Sequence, residues 1–262
     1  MTPIIKKIVA LGGGEIGRPG YPVETTKIDR EIIRLTGKKN PRLLFIPTAS
    51  NDSESYYEVV KKHFGKRLKT RTDVLYLLKN RPTKKEIKEK VLRSDIIYVG
   101  GGNTEKMMHA WKRYGLDKIL YEAWERGIVL SGLSAGSICW FKWGHSDSRK
   151  MLDKKADYIR TAGLGMIEAL HCPHWDVEKK LREKSLKNMI KKTHDTAIVI
   201  DNCAALEIVG DSWRVISSKT KANAYKIYWR KNKLIEEKIQ KKPNFTRFTR
   251  LPTSHVSVDS IY

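Results

Sequence analysis

The chain of 262 residues is short of acidic side chains, of cysteine and of long apolar runs. Against 52 Lys plus Arg stand only 29 Asp plus Glu, a formal net charge of +23. That imbalance makes a polyanion such as nucleic acid the plain compositional partner. Cysteine is confined to Cys139, Cys172 and Cys203. An odd number without paired spacing argues against a disulfide framework and fits free thiols in a reducing cytosol. No apolar run approaches the ~18 to 20 residues that span a bilayer, and Lys6 and Lys7 interrupt what would be the apolar core of an export leader. The expectation is a cytoplasmic protein with no membrane partner.

What is present is enough to fold. Apolar residues make up 40% and aromatics 9%, which excludes a disordered polyelectrolyte. Apolar runs of strand length recur at Lys7 to Leu11, Leu43 to Pro47, Val74 to Leu78, Ile96 to Val99 and Ile128 to Ser131. Helix-compatible segments alternate with them: Ile32 to Leu35, Tyr56 to Phe64, Lys84 to Arg93 and Glu105 to Tyr114. Strands of four or five consecutive apolar residues separated by helices are what a parallel sheet covered on both faces requires. The first 140 residues therefore call for a doubly wound α/β sheet. Ala197 to Ile200 and Ala204 to Val209 read as further strands around Asp201-Asn202, and Tyr225 to Trp229 with Leu234 to Ile239 as an added hairpin. With no Pro/Gly/Ser-rich linker and no internal repeat, residues 1–262 form one α/β domain, of which 211–262 are a basic C-terminal extension.

Positive charge is concentrated in Lys179 to Lys192 and in Arg214 to Arg250. A solvated helix face and a solvated hairpin account for both runs. Tyr225, Tyr228, Trp229, Phe245 and Phe248 interleave aromatics of the kind that stack bases. They keep open a second reading, a catalytically silent binding protein for nucleic acid or another polyanion.

Three glycine turns follow strands. Gly12-Gly13-Gly14-Glu15-Ile16-Gly17 has the form of a dinucleotide fingerprint. Arg18-Pro19-Gly20 would break the helix that must face a pyrophosphate, and the second strand closes on Ile46-Pro47-Thr48 without a ribose-binding acid. A tight turn at the edge of a site is the better reading, and no cofactor is expected. Gly132-Leu133-Ser134-Ala135-Gly136 is a G-x-S-x-G elbow directly after a buried strand. The serine projects from a sharp strand-to-helix turn, and the Ala135 amide faces the place where a tetrahedral oxyanion forms. Gly100-Gly101-Gly102-Asn103-Thr104 ends the neighbouring strand and offers further bare amides, with Asn103 or Thr104 as a helix cap.

A serine nucleophile needs a base, and the base needs an orienting partner. His63 and His109 lie in helical segments, and His194 and His255 in polar stretches without a partner motif. His145, His171 and His174 fall in loop-like sequence after the elbow. His171-Cys172-Pro173-His174 lacks a second ligand pair at structural-zinc spacing, so no metal is expected.

Tyr98-Val99-Gly100-Gly101-Gly102-Asn103-Thr104, the elbow with Ser137, and Cys172-Pro173-His174-Trp175 together resemble peptidase family S51, the group of aspartyl dipeptidase (dipeptidase E) and cyanophycinase. The resemblance runs from the first strand to about Val209. It implies a flavodoxin-like fold related to class I glutamine amidotransferases, and a short peptide as substrate. Ser134 matches the nucleophile, His174 the base, and Gly102 and Ala135 the oxyanion donors. Asp147 matches the region of the third triad member, with Asp201, Asp176 and Glu168 as alternatives. The elbow of the related amidotransferases carries a cysteine where Ser134 stands; Cys139 lies further into the helix, which disfavours glutaminase chemistry.

The reading of the sequence is thus a serine peptidase, with a dipeptidase preferring an acidic residue as its narrower form. Arg160, Arg149 and Lys150 are candidate readers of an acidic side chain, and Asn103 and His171 further substrate contacts. A homodimer is compatible with the C-terminal hairpin.

Overall fold

The computed structural model describes residues 4–241 and 244–247; Phe248 and His255, singled out above, lie outside them. In chain order the strands are β1 (Lys7–Leu11), β2 (Arg42–Ile46), β3 (Arg71–Val74), β4 (Ile96–Val99), β5 (Val129–Leu133), β6 (Phe141–Ser146), β7 (Ile159–Ala162), β8 (Ile167–Cys172), β9 (Ala197–Ile200), β10 (Ala204–Val209), β11 (Ser212–Ser217), β12 (Ala224–Arg230), β13 (Lys233–Lys238) and β14 (Thr246–Arg247). The helices are α1 (Thr26–Arg34), α2 (Glu54–Val60), α3 (Lys84–Leu92), α4 (Thr104–Tyr114), α5 (Leu116–Glu125), α6 (Ala135–Ile138) and α7 (Trp175–Thr193). A π-helical stretch, Lys61–Arg67, continues α2.

These strands form two sheets. The larger runs β14-β11-β10-β1-β5-β4-β2-β3. Its β1, β5, β4, β2 and β3 are parallel, and β10, β11 and β14 add antiparallel neighbours on one side. Successive side chains of the parallel strands point to opposite faces, and both faces are apolar. Ile8, Ala10, Leu44, Ile46, Ile97 and Val99 pack on one side with α3, α4 and α5. Val9, Leu11, Leu43, Phe45, Ile96 and Tyr98 pack on the other with α1, α2 and the π-helical turn. This is the doubly wound, mostly parallel arrangement that the apolar runs call for, in the flavodoxin-like form that the family resemblance implies.

A second sheet runs β13-β12-β9-β8-β6-β7, with β6, β8 and β9 parallel. One face shares the first core through Ile167, Ala169, Ile198 and Ile200. The other is covered by α7 through Trp175, Leu186 and Ile190. The hairpin β12–β13 belongs here, because Ala224–Ile227 pairs antiparallel with β9. Residues 211–247 therefore divide between the sheets, β11 and β14 on the larger and β12 and β13 on the smaller.

The third strand lies earlier than the apolar run Val74 to Leu78 suggests. Leu75 and Leu77 leave the ladder to pack with α3, while the Leu78 and Lys79 amides donate to Asp52 Oδ2 at 2.5 and 3.0 Å. His145 and His171, in sequence that suggests loop, lie on β6 and β8 inside the molecule.

Close backbone packing at the ends of β4 and β5 fixes the turn into α6. A Cβ built on Gly136 would overlap Val99 O, and one on Gly132 would overlap Gly136 O. Gly136→Ala is expected to destabilise the protein by about 2–3 kcal/mol through overpacking against backbone. Gly65→Ala, whose nearest approach is 3.3 Å to the Thr72 hydroxyl, should cost less than about 1 kcal/mol; urea titration of both variants checks the contrast.

Candidate active site

Ser134 follows β5 with φ 55° and ψ −117° and starts α6. A non-glycine residue with positive φ is a strained position kept where the surroundings leave no alternative. Here they leave none, since Gly132 and Gly136 sit against Val99 O and the Ser134 carbonyl accepts from the Ser137 and Ile138 amides at 2.9 and 3.0 Å. The turn thrusts the Ser134 hydroxyl into a cleft of about 500 Å³, which Gly101, Tyr56, His174 and Asn202 also line.

His174 stands between β8 and α7, also at positive φ (57°), with its amide donating to Gly12 O at 3.0 Å. Its Nε2 lies 2.9 Å from Ser134 Oγ and its Nδ1 2.7 Å from Asn202 Oδ1. An amide oxygen only accepts, so Nδ1 carries the proton and Nε2 is left to accept from the serine hydroxyl. Asn202 lies between β9 and β10, where the chain passes from the smaller sheet to the larger. Its backbone amide donates to Asp176 Oδ1 at 2.8 Å.

The first glycine turn closes this arrangement from behind. A Cβ on Gly13 (φ 153°) would overlap both Asn202 Oδ1 and His174 Nδ1. Gly12 N donates to Ala204 O at 3.0 Å and Cys203 N to Gly13 O at 2.9 Å. Gly12-Gly13-Gly14 serves close approach of the imidazole and amide, at the edge of the site.

The amides of Gly102 and Ala135 have no acceptor among the described residues. Gly102 has φ 137°, and a Cβ there would overlap Ala49 O. Ala135 is the first residue of α6, so its N–H has no partner within the helix.

Other residues singled out from sequence lie elsewhere. Asp147 does not meet His174: its carboxylate pairs with Arg182 at 3.3 Å. Arg182 is buried on α7, also pairs with Glu178 and donates to His145 O at 3.1 Å. A buried guanidinium needs this anionic company, which accounts for Asp147. Asp201 is buried and clasps Asn223, accepting from its amide at 2.8 Å and donating its own amide to Asn223 O at 3.0 Å. Glu168 pairs with Lys142 on the surface.

Of the residues expected to contact substrate, Asn103, Arg160 and His171 are not among those that line the cleft. Asn103 caps α4, accepting from Lys106 N at 2.9 Å and donating to Ser148 O at 2.9 Å. Arg160 lies over the Trp143 ring and forks onto both oxygens of Asp195 at 2.9 and 3.1 Å. Arg149 pairs with Glu105 and Lys150 donates to Ala156 O. His171 is fully buried, stacked on Phe141, with Nδ1 2.9 Å from Ile198 O and Nε2 2.9 Å from Ser137 Oγ. Burial pushes its pKa down to about 3, so it is a neutral core residue.

The sequence reading missed Asn202, which nothing in one sequence separates from its neighbour Asp201. It also missed Glu15, Arg18 and Glu24, which line the cleft after the first glycine turn. Arg18 pairs with Glu15 at 2.8 Å and lies over the Tyr21 ring. Glu24 Oε2 accepts the Glu15 amide at 3.2 Å, and bonding to Lys219 holds the Glu24 carboxyl below its usual range. Burial raises Tyr56 to about 12, and its neutral hydroxyl lies 3.3 Å from Gly101 N. Among the described residues no three His, Cys, Asp or Glu side chains converge as a metal ion would need, and no helix is long and apolar enough to cross a membrane.

Fold and site together define an α/β protein with a serine–histidine pair at a strand-to-helix elbow, at the carboxyl ends of parallel strands. The chain belongs to peptidase family S51, whose sequence pattern it matches over residues 8–216, and so stands among the peptidases. It is 34% identical over 235 residues to the uncharacterized peptidase YgaJ of Bacillus subtilis (strain 168), covering 88% of this chain and 96% of that protein. In fold it is similar to the crystal structure of a peptidase from an acI-B1 Actinobacterium, with TM-score 0.69, 23% identity and coverage of 93% and 97% of the two chains. It is also similar to a putative peptidase E protein from Listeria monocytogenes EGD-e, with TM-score 0.60, 20% identity and coverage of 81% and 98%.

Burial pushes Asp201 up to about 6, with Asp176 adding to the rise. The folded state thus prefers the uncharged acid, and the stability this supplies is lost as pH rises through about 6. Asp201→Asn keeps an acceptor for the Asn223 amide and cannot ionise. Its thermal midpoint should match that of the parent at pH 4 and exceed it by about 2–4 °C at pH 8; an equal difference at both pH values would mean that Asp201 ionises normally.

Proposed function

We propose that the chain is a serine peptidase acting on short peptides, with Ser134 as nucleophile and His174 as general base. The observation that carries this reading is the alignment of Ser134 Oγ, His174 and Asn202 Oδ1 through contacts of 2.9 and 2.7 Å at the floor of an open cleft. His174 Nε2 takes the hydroxyl proton as Ser134 Oγ attacks the peptide carbonyl. The amides of Gly102 and Ala135 receive the oxyanion, and His174 then gives its proton to the leaving amine. Water, deprotonated by the same imidazole, resolves the acyl-enzyme. Asn202 holds the imidazole tautomer without placing a carboxylate against it. The nearest link to a carboxylate runs through the Asn202 backbone amide to Asp176. An acidic side chain beside the scissile bond would meet Arg18, the cation lining the cleft, which is the form that an acidic preference takes here.

A fluorophosphonate probe should label Ser134, located by peptide mass mapping, and His174→Ala should abolish the labelling. An unlabelled, folded protein would overturn the assignment. Asn202→Ala is expected to lower kcat by about 10²-fold or more, whereas Asp147→Ala should leave the rate near that of the parent; the reverse ranking in steady-state assays would restore Asp147 to the site.

A further inference from the structure

The cleft that holds Ser134 does not end at its own walls. Glu24 on its rim also lines a second cleft of about 580 Å³ over the outward face of α1, with Lys27, Arg30, Glu31, Arg34 and Ser218. That cleft shares Lys27, Glu31 and Ser218 with a third, of about 520 Å³, between α1 and β11, which Arg214, Lys219 and Lys241 also line. Shared wall residues, Glu24 and then Lys27, Glu31 and Ser218, link the three in a trough that leads away from the nucleophile.

Its charge is lopsided. Beyond Glu24 the walls carry Lys27, Arg30, Arg34, Arg214, Lys219 and Lys241 against a single further carboxylate, Glu31. Some of these cations are committed. Arg34 and Arg214 pair with Glu31, Arg214 also with the buried Glu207, Lys219 with Glu24, and Lys241 donates to the Thr220 and Ala222 carbonyls. Lys27 and Arg30, exposed on successive turns of α1, have no partner among the described residues. The buried Ser218 hydroxyl also lacks one.

Two features decide what kind of anion fits. Among the described residues no aromatic side chain lines either outer cleft, and the one ring on a wall residue, Phe245 against the Arg214 guanidinium at 4.5 Å, is no platform for successive bases. Carboxylates at Glu24 and Glu31 interrupt the cations, which suits spaced charges better than the unbroken phosphates of a nucleic acid.

Resting on the peptidase reading, we propose that this trough binds an acidic polypeptide segment running on from the scissile bond, so that the enzyme acts on acidic peptides longer than a dipeptide. Carboxylates of the segment meet Lys27 and Arg30, and the peptide backbone lies along Ser218. Exposed ion pairs are individually weak, so each well-placed carboxylate contributes roughly threefold to binding, and salt screens it.

The test compares hexapeptides carrying Glu beyond the scissile bond with the same peptides carrying Gln, beside the matching dipeptide. The Glu series should have kcat/KM about five- to tenfold higher at low ionic strength, an advantage that fades in 0.5 M NaCl. The exposed double variant Lys27→Glu/Arg30→Glu should remove it, and Lys27→Gln/Arg30→Gln should reduce it. Equal rates for Glu and Gln peptides, cleavage of dipeptides alone, or an unchanged ratio in both variants would overturn the proposal. A labelled octaglutamate, followed by fluorescence anisotropy on the Ser134→Ala protein, reads the trough without catalysis. Binding weakened by the double variant supports an acidic segment in the trough; such binding without cleavage of any peptide, Glu or Gln, would count against the peptidase reading alone. Failure of octaglutamate to bind, or binding only of an oligodeoxynucleotide, would overturn it.

Discussion

The site depends on how closely backbone can approach backbone around Ser134. With φ 55° and ψ −117°, the serine is held in a conformation that costs of order 1–3 kcal/mol. What holds it is the absence of side chains at Gly132 and Gly136, which lets β5 and α6 press on Val99. Relaxing the turn would require moving β4 or β5, two central strands of the larger sheet. Strain at one residue is therefore secured by the packing of the core. The same packing points the hydroxyl at His174 and leaves the Ala135 amide free at the start of α6.

A second close approach ties the two sheets together. Ser134 belongs to the larger sheet, His174 follows β8 of the smaller, and Asn202 lies where β9 of the smaller gives way to β10 of the larger. Their alignment thus reports the seam between the sheets. The His174 amide crosses that seam to Gly12 O, while Gly12 and Gly13 carry the β1–β10 ladder on to Ala204 and Cys203, and Gly13 has no side chain that could part His174 from Asn202. A loop-borne histidine is held as firmly as one on a strand because its amide, its ring and its helix are each fastened to a different element.

Much of this was legible in the sequence, for reasons that can be stated. The parallel strands were visible because both faces of the larger sheet are apolar, so each strand is a continuous run. The elbow was visible because its chemistry is local, within five residues of Ser134, and His174 because it stands in a short motif. The partner of His174 was not. Asn202 is 28 residues away from it, and the region that the family resemblance favoured, around Asp147, is claimed by Arg182, whose burial no local pattern reveals. Nor does a strand pattern say which sheet a strand joins: β9 and β10, only three residues apart, lie in two different sheets. The structure separates His171 from His174 by depth as well as by motif: the first is sealed against Phe141, the second opens onto the cleft.

The same distinction between local and tertiary information applies to the charge of +23. One of the two basic runs noted in the sequence, Lys179 to Lys192, is on α7, which begins beside His174 and leads away from it. At 1.5 Å per residue, Lys191 and Lys192 lie roughly 25 Å along the helix from the site, several times the ~8 Å over which exposed charges act at physiological ionic strength. They add to the total charge, yet at that distance they cannot read a peptide bound at Ser134. The cations that line the clefts come from distant parts of the chain: Arg18 after the first glycine turn in the cleft of Ser134, and Lys27 and Arg30 on α1 with Lys219 after β11 in the two beyond it. Interspersed with Glu15, Glu24 and Glu31, they form no basic run in the sequence and acquire a common direction only when α1 is laid beside β11. On the proposed reading, placement along the trough outweighs the total.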